Sequence, residues 1–369
     1  MSICFSLACK KDKQRWDDFV LAHDNATAYH LFAWGEAVVA SYDFTMEYWM
    51  ATADDGLIAI LPAIKMRSLT GKMHLCSLPY CDLGGMLVKA VDAEQQLHIQ
   101  TQFMQHISEH YSDVNIANIE IRDSAAKGLE ATEVQKGEKV RMLLPLPNDA
   151  DTLMAQFKSK LRSQIRKAEK NGLTFRVLSG DSFRFSHGAN EDTAGEQAFN
   201  DFYAIIAENM RLLGSPVHAK AWYQSLIESY KDKLYIAIVD YDDIAAGAAL
   251  VLTTNNKAVI PWASTRAQYN RLAPNMLLYW AVLSEACHRN MQEFDFGRST
   301  VGEGTYKFKQ QWGCVAQALS WKHYYNGALK DDKELNSSFA RALAENAWRK
   351  LPLALTTALG ARIRKYISL

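Results

Sequence analysis

The stretch FDFGRSTVGEGTYKFKQQWG, from Phe294 to Gly313, carries the most informative pattern in the chain. It leads from apolar residues through a glycine-rich turn into a basic, aromatic segment. Gly297 and Gly302 have the spacing of a Walker-type phosphate loop, but the Lys and Ser or Thr that must follow the second glycine are missing. The dinucleotide pattern GxGxxG fails as well, because Lys307 stands at its third glycine. The stretch is therefore not a nucleotide loop of either type.

The composition describes a globular protein without a strong overall charge. The chain has 369 residues, enough for two domains of ordinary size or one large domain, and 49% of them are hydrophobic. Lys plus Arg and Asp plus Glu both total 41, which argues against a protein that binds nucleic acid alone. The six cysteines form no CxxC pair. We therefore expect free thiols in a reducing compartment and no metal site.

The two ends of the chain bear on its localisation. The N-terminal apolar run is too short for a signal-peptide core, and no run approaches the roughly 20 apolar residues of a spanning helix. We expect a cytoplasmic protein. From Arg341 onward the tail has six basic residues and one acid, with apolar residues at helical spacing. It is either a helical pair packed on the body or a surface helix that touches anionic lipid, with peripheral contact at the inner membrane.

The order of the elements predicts two related α+β domains. Helices and then strands fill the first third, with single strands expected over Thr45–Thr52 and Leu57–Lys65. The pattern breaks near residues 145–151, and a basic helix opens the second half, which repeats the plan of the first. Two features there are clear: a strand hairpin around Asp242-Asp243 and a helix that begins at Pro274. The predicted domains are residues 1–150 and 151–330, followed by a basic amphipathic helical tail over 331–369.

Several ordered motifs resemble one family. FKSKLRSQIRKAEKNGL (157–173) resembles the signature that opens the second domain of FemAB-type acyltransferases, and FDFGRSTVGEGTYKFKQQWG resembles their closing signature. NMRLLGSPVH (209–218) and RLAPNMLLYWA (271–281) look like the FemAB subgroup associated with exosortase and PEP-CTERM systems. The first 150 residues match more loosely, chiefly at SLPYCDLGGML (77–87).

The resemblance implies both a fold and an activity. The fold is α+β, with tandem GNAT-like (acyl-CoA N-acyltransferase-like) domains of mixed sheets flanked by helices and a substrate cleft between the domains. The activity is transfer of an N-acyl or aminoacyl group to an amine of a cell-envelope or exopolysaccharide precursor, as in family members that modify peptidoglycan precursors. No cofactor is expected to stay bound, and the acyl donor is either aminoacyl-tRNA or acyl-CoA. The acceptor is a small-molecule, lipid-linked or nucleotide-linked precursor. The alternatives are an acyl-CoA-dependent N-acyltransferase on a small amine and a non-catalytic module that binds a glycan or precursor.

Two departures from the family bear on the donor. Acetyl-CoA-dependent GNAT domains carry an R/Q-x-x-G-x-G/A loop before their main helix, whereas the matching segment RAQYNRLAP (266–274) has no glycine. This counts against standard CoA binding. The loop over 179–197 is too short and polar for the helical arm that some Fem enzymes associate with tRNA, although some tRNA-using relatives lack that arm.

Three residues are candidates for the catalytic chemistry. Lys309, where the family motif places a functional lysine, would stabilise an oxyanion or bind a phosphate of the acceptor, or else it is a solvated helix lysine. Tyr306 would donate a hydrogen bond to the reacting carbonyl, or else it packs in the core. His218 is the one candidate imidazole base in the motifs of the second domain, and its alternative role is in a helix cap and turn.

The candidates for substrate binding lie in five places. Arg298 follows a strand predicted over Phe294–Gly297 and would be carried into the cleft by a mobile glycine loop, unless it forms a salt bridge with Asp295 or Glu303. The other candidates are the basic helix residues Arg162, Arg166 and Lys167, which would contact a diphosphate or tRNA unless they form a solvated face; Asn209 and Arg211, beside a turn; Asn275 and Tyr279, in the first turns after Pro274; and Tyr80 and Asp82, in the first domain.

Overall fold

The computed structural model describes residues 2–54, 56–112, 116–124, 134–185, 194–325, 328–330 and 339–368. They form two compact units that are discontinuous in sequence. The first unit comprises Met1–Lys127, Leu319–Ser337 and Lys365–Leu369, and the second comprises Gly128–Ala318 and Ser338–Arg364. Both units combine helices with mixed or antiparallel sheets, and the fold is the predicted tandem GNAT-like α+β fold.

The elements are numbered along the chain. The strands are β1 Cys4–Leu7, β2 Thr45–Met46, β3 Trp49–Ala53, β4 Gly56–Leu61, β5 Ile64–Arg67, β6 Met73–Cys76, β7 Leu87–Val88, β8 Ile116–Ser124, β9 Lys139–Pro145, β10 Leu173–Ser179, β11 Leu234–Tyr241, β12 Ile244–Thr254, β13 Lys257–Thr265, β14 Glu293–Thr300, β15 Val315–Tyr325 and β16 Ala328–Lys330. The helices are α1 Lys13–Ala22, α2 Phe32–Ser41, α3 Ala93–His110, α4 Ala150–Gln156, α5 Ser159–Lys170, α6 Ala194–Leu213, α7 Lys220–Tyr230, α8 Pro274–His288, α9 Gly304–Gln310, α10 Phe339–Lys350 and α11 Leu353–Ile363. No helix in the described part of the chain is long and apolar enough to cross a membrane.

The first unit has two sets of paired strands. One sheet has the order β1-β3-β4-β7, and the other strands follow the order β15-β8-β6-β5-β2. The apolar positions of α3, among them Phe103 and Ile107, lie in one buried cluster with residues of β3, β4, β6 and β8. The predicted strands Thr45–Thr52 and Leu57–Lys65 are wrong in one respect, because each is divided in two.

The division has a physical cause in the pairing of the strands. The halves next to the turn, β3 and β4, pair with each other, whereas β2 pairs with β5 in the other sheet. The chain changes sheets near Glu47, whose N–H donates to the carbonyl of Ala63 at 2.8 Å. Pro62, which has no N–H to donate, stands at the matching interruption between β4 and β5.

The second unit has one sheet in the order β10-β11-β12-β13-β14-β9-β15. Helix α8 packs on β10, β11 and β12 and against α4 and α5. The apolar stripe predicted on the basic helix is confirmed, since Leu161, Ile165 and Ala168 are buried in the core of this unit. The hairpin predicted between β11 and β12 is confirmed as well, with Asp242 and Asp243 both at positive φ.

The feature that positions the site is the separation of β13 from β14. These two parallel strands pair only between Lys257–Val259 and Glu293–Asp295. Beyond that point β13 pairs with β12 as far as Thr265, and β14 pairs with β9 as far as Thr300. The strands therefore diverge over the second half of β13.

The glycine-rich stretch is more regular than predicted. Strand β14 continues to Thr300, so Arg298 lies within a strand, and a short turn then leads directly into α9. The prediction that the strand ends at Gly297 is wrong because β9, which the sequence analysis did not identify, extends the ladder to Thr300. A bulge between Asp295 and Arg298 interrupts this ladder, and Gly297 there has φ +73°.

The boundaries of the units differ from the predicted segments. Strand β9 belongs to the second unit, although its residues 139–145 were assigned to the first domain. Strand β15 pairs through Val315–Ala318 in the second unit and through Leu319–Tyr324 in the first. In the tail, α10 and α11 contact α6 of the second unit, while residues 365–368 belong to the first.

Candidate active site

A pocket of about 350 Å³ lies in the second unit beside the diverging half of β13. Its walls come from the end of α6, the end of β13 and the segment that follows it, the first turns of α8, and one residue of α9. The lining residues are Asn209, Leu212, Ala263, Ser264, Thr265, Ala267, Asn270, Asn275, Leu278, Tyr279 and Phe308.

The entrance of α8 is shaped by local backbone geometry. The segment that replaces the glycine-containing CoA loop forms a 3-10 helix over Ala267–Leu272 and ends at Ala273. Ala273 has left-handed dihedral angles, φ 62° and ψ 48°, which glycine usually adopts. Pro274 then takes the first position of the helix, as predicted. Together they turn Asn275 and Tyr279 of the first turns toward the pocket.

Tyr279, which lines the pocket, is held by an aromatic cluster. Its ring stacks on Phe296 with centroids 5.3 Å apart and an angle of 4°, and it contacts Phe308 and Trp312 edge-on or tilted. Burial raises the pKa of the Tyr279 phenol to about 12, with a smaller contribution from Cys314. The hydroxyl therefore keeps its proton at neutral pH and can donate a hydrogen bond.

Lys309 is a buried residue that binds main-chain atoms. Only 8% of it is exposed, which excludes the alternative of a solvated helix lysine. Its Nζ donates to the carbonyl oxygens of Gly297 at 3.0 Å and Arg298 at 2.9 Å. Asp295 holds the same bulge from the other side, because its carboxylate accepts the Gly297 N–H at 2.8 Å and pairs with Arg141 at 2.9 Å. Lys309 thus fixes the bulge of β14.

Arg298 and Tyr306 are not among the residues that line the pocket. Arg298 is half-buried in β14 and stands opposite Arg141 of β9. The hydroxyl of Tyr306 accepts a hydrogen bond from Gln310 Nε2, one turn later in α9, at 3.1 Å. The ring of Tyr306 packs at the margin of the core.

His218 lies in an aromatic cluster and is not among the residues that line the pocket. It is 2% exposed and packs against Trp222, Tyr223 and Trp262. Burial, and next the charge of Arg364, lower its pKa well below the ordinary value for histidine. The structure therefore places a neutral imidazole in a packing role and does not bring His218 to the pocket.

The basic residues of α5 divide into two groups. Arg162 donates to the carbonyl oxygens of Ala155 and Phe157 at 3.0 and 3.1 Å, so it closes the end of α4. Arg166 and Lys167 are exposed on the surface of the helix. Arg211 resembles Arg162, since it donates to the carbonyls of Arg349 and Leu351 at the end of α10.

Tyr80 and Asp82 are part of the packing of the first unit. Tyr80 has φ +70°, and its hydroxyl and N–H donate to the carbonyls of Lys365 at 2.8 Å and Ser368 at 2.6 Å. The carbonyl of Asp82 accepts from Trp321 Nε1 at 3.1 Å.

Of the thirteen predicted site residues, the pocket brings together Asn209, Asn275 and Tyr279. Ser264, Thr265 and Asn270 also line the pocket and were not predicted from the sequence. The signal that could have identified them is the polar run STRAQYN, which follows directly on an apolar strand.

Comparisons with known proteins agree with this architecture. Residues 155–310 match the family model described as an acetyltransferase (GNAT) domain. This segment is therefore similar to a GNAT acetyltransferase domain, and the protein is an acyltransferase. No curated protein sequence matches the chain.

Solved structures show the similarity of the whole fold. A crystal structure of FemX is similar with TM-score 0.67 and 12% identity, over 89% of this chain and 98% of that one. A tandem GNAT protein from the clavulanic acid biosynthesis pathway is similar with TM-score 0.51 and 11% identity, over 89% of this chain and 100% of that one. The C-terminal domain of a putative lysylphosphatidylglycerol synthetase from Agrobacterium fabrum is similar with TM-score 0.52 and 12% identity, over 91% of this chain and 95% of that one. At these identities the similarity establishes the tandem GNAT fold.

Proposed function

We propose that the protein transfers an acyl or aminoacyl group to an amine of a cell-envelope or exopolysaccharide precursor, with the acyl group bound in the pocket beside β13. The observation that carries the proposal is the position of this pocket. It lies inside the segment that matches the acetyltransferase domain, and its walls include residues 263–265 of the diverging half of β13.

The diverging strand provides suitable groups for acyl transfer. In the described chain, pairing of β13 with β14 stops at Val259, while pairing with β12 continues to Thr265. The edge of β13 that faces away from β12 therefore presents main-chain N–H groups near Ala263 to Thr265. Fixed N–H donors of this kind stabilise the oxyanion that forms when an amine attacks an ester or thioester carbonyl. The protonated hydroxyl of Tyr279 is a second donor at the same pocket.

The proton of the attacking amine needs a separate acceptor. None of the described residues that line the pocket is a histidine or a carboxylate. His218 is buried elsewhere, and its pKa is lowered by burial and by Arg364. We infer that the amine loses its proton to a group of the substrate itself or to water.

The positive charge exposed on helix α5 bears on which molecule carries the acyl group. Helix α5 exposes Lys160, Arg166, Lys167 and Lys170 on the surface of a protein whose formal net charge is zero. A concentrated basic face suits a polyanionic carrier, which favours aminoacyl-tRNA over acyl-CoA. The motifs that resemble the exosortase-linked FemAB subgroup support an envelope precursor as the acceptor.

Peripheral contact with the inner membrane fits the same acceptor. Three leucines are between 53 and 56% exposed: Leu212, Leu213 and Leu343. Arg349, in the last turn of α10, donates to the carbonyls of Leu212 and Leu213 at the end of α6, and Lys350 follows it in the chain. Exposed leucines beside basic residues are typical of surfaces that touch anionic lipid.

Acyl transfer from labelled alanyl-tRNA and labelled acetyl-CoA to envelope-precursor amines tests the proposal. Ser264→Trp fills the pocket, and Thr174→Trp, an exposed substitution on β10, is the matched control. We expect transfer with the wild type and the control and none with Ser264→Trp. Transfer from acetyl-CoA alone would assign the acyl-CoA alternative, and undiminished transfer by Ser264→Trp would contradict the assignment of the pocket.

A further inference from the structure

The second unit also contains information about which acyl groups the pocket accepts. Resting on the proposed function, we propose that the pocket selects acyl groups whose variable part is uncharged and carries its own hydrogen-bonding groups. The variable part is the side chain of an aminoacyl group or the chain end of a fatty acyl group.

The first observation is the absence of charge in the lining. Within the described residues, the pocket has no Lys, Arg, Asp or Glu side chain among its walls. Two charged residues beside it, Glu208 and Arg266, pair with each other at 3.2 Å, and Arg266 also donates to the carbonyl of Ala245. The ammonium of Lys309, next to Phe308, donates to main-chain carbonyls of β14.

The second observation is an arrangement of polar side chains with no internal partner. Besides the hydroxyl of Tyr279, five uncharged amide or aliphatic hydroxyl side chains line the pocket, and the structure gives none of these five a side-chain hydrogen bond to another described residue. These five residues are Asn209, Ser264, Thr265, Asn270 and Asn275. Amide and hydroxyl groups that face a concave surface without partners offer both donors and acceptors to a ligand.

The two observations together define a preference. A charged group in this pocket would lose its hydration and find no opposite charge, so its binding is penalised. A purely aliphatic group would leave the amide and hydroxyl groups without a partner when it displaces water from them. An uncharged polar group matches the five side chains, while Leu278, Tyr279 and Phe308 contact its carbon atoms. Sites built to hydrogen-bond a substrate discriminate strongly against analogues that lack the bonding group.

The test uses donors that differ only in the variable part. Glutaminyl-tRNA is compared with glutamyl-tRNA on the same tRNA, and 3-hydroxybutyryl-CoA is compared with butyryl-CoA and succinyl-CoA. Within whichever carrier supports transfer, we expect kcat/KM for the uncharged polar member to exceed that of the charged member at least tenfold. Butyryl should lie between the other two thioesters.

A change of charge in the wall provides the second arm. Asn275→Asp adds a negative charge with almost no change of shape, and Asn290→Asp, on the exposed turn after α8, is the control. We expect Asn275→Asp to raise the ratio of lysyl-tRNA to glutaminyl-tRNA transfer at least tenfold and Asn290→Asp to leave it unchanged.

The outcomes separate this inference from the function on which it rests. Transfer that proceeds equally well from charged and uncharged donors would overturn the inference and leave the proposed function in place. A ratio of lysyl-tRNA to glutaminyl-tRNA transfer that Asn275→Asp leaves unchanged would also overturn the inference. Absence of transfer from every donor, in both carriers, would overturn the proposed function and the inference with it.

Discussion

Replacement of Lys309 by methionine separates two roles of this residue. Its Nζ donates at 3.0 and 2.9 Å to the carbonyls of Gly297 and Arg298, and the residue is 8% exposed. Methionine fills nearly the same volume and removes only the ammonium. If the lysine fixes the bulge of β14, the variant should be less stable, because two carbonyls lose their donor. If the lysine serves only the substrate, stability should not change.

The magnitude follows from the two hydrogen bonds. An acceptor left without its partner in a buried site costs about 1–3 kcal/mol. Because both bonds are only partly buried, we take the lower half of that range, about 1–2 kcal/mol, for each carbonyl and expect a loss of about 2–4 kcal/mol in the free energy of unfolding. Lys307→Met is the matched control, since Lys307 is exposed on the same helix, and its loss should be below about 0.5 kcal/mol.

Urea denaturation of both variants measures the difference, and hydrogen exchange of residues 293–313 locates it in the second unit. We expect hydrogen exchange over the bulge to be faster in Lys309→Met than in the wild type and to be unchanged in Lys307→Met. If Lys309→Met is as stable as the control while acyl transfer is lost, Lys309 does not fix the bulge, because its ammonium then acts on the substrate and not on the strand.

Three further predictions concern the second unit. Burial lowers the pKa of His218, so the contribution of the neutral imidazole to stability is complete above about pH 6.5 and declines as the pH falls below that value. His218→Gln should flatten this decline in the free energy of unfolding measured by urea titration, and a decline as steep as that of the wild type would contradict the prediction. Ala273→Gly should raise the free energy of unfolding by about 1 kcal/mol, because alanine is strained at φ 62°, and a loss of stability would exclude that strain. Arg211→Ala removes the donors to two carbonyls at the end of α10, so it should speed hydrogen exchange there and lower the free energy of unfolding by about 1 kcal/mol. Unchanged exchange at the end of α10 would show that other contacts hold the helix.

Local patterns predicted the elements that local chemistry determines. The basic helix with its buried stripe, the hairpin at Asp242-Asp243 and the helix start at Pro274 each depend on spacing or backbone preference, and the structure confirms them. Strand β9 was missed because its short apolar run precedes a polar segment that resembles a domain junction. Only its partners β14 and β15, far along the chain, make it a strand.

The candidate site was less predictable than the fold for a related reason. Asn209, Asn275 and Tyr279 were identified because they lie in motifs with a family resemblance. Ser264 and Asn270 have no such motif, and the divergence of β13 from β14 is what turns them into walls of a pocket. Divergence of two strands is a tertiary property that one strand's sequence does not encode.

Charged residues were the hardest to assign from sequence. Arg162, Arg211 and Lys309 all satisfy main-chain carbonyls in the structure. A basic residue in a motif looks the same whether it binds a phosphate or closes a helix end, because both partners are oxygen acceptors. The partner is set by which carbonyls the fold leaves unpaired.

The most direct test of the account is equilibrium binding of acylated and unacylated carriers. Alanyl-tRNA is compared with uncharged tRNA, and acetyl-CoA with CoA, on the wild type, Ser264→Trp and Thr174→Trp. If the pocket beside β13 binds the acyl group, that group increases affinity for at least one carrier in the wild type and in Thr174→Trp, and this increase disappears in Ser264→Trp. An increase that survives in Ser264→Trp would place the acyl group outside the pocket beside β13 and contradict the account.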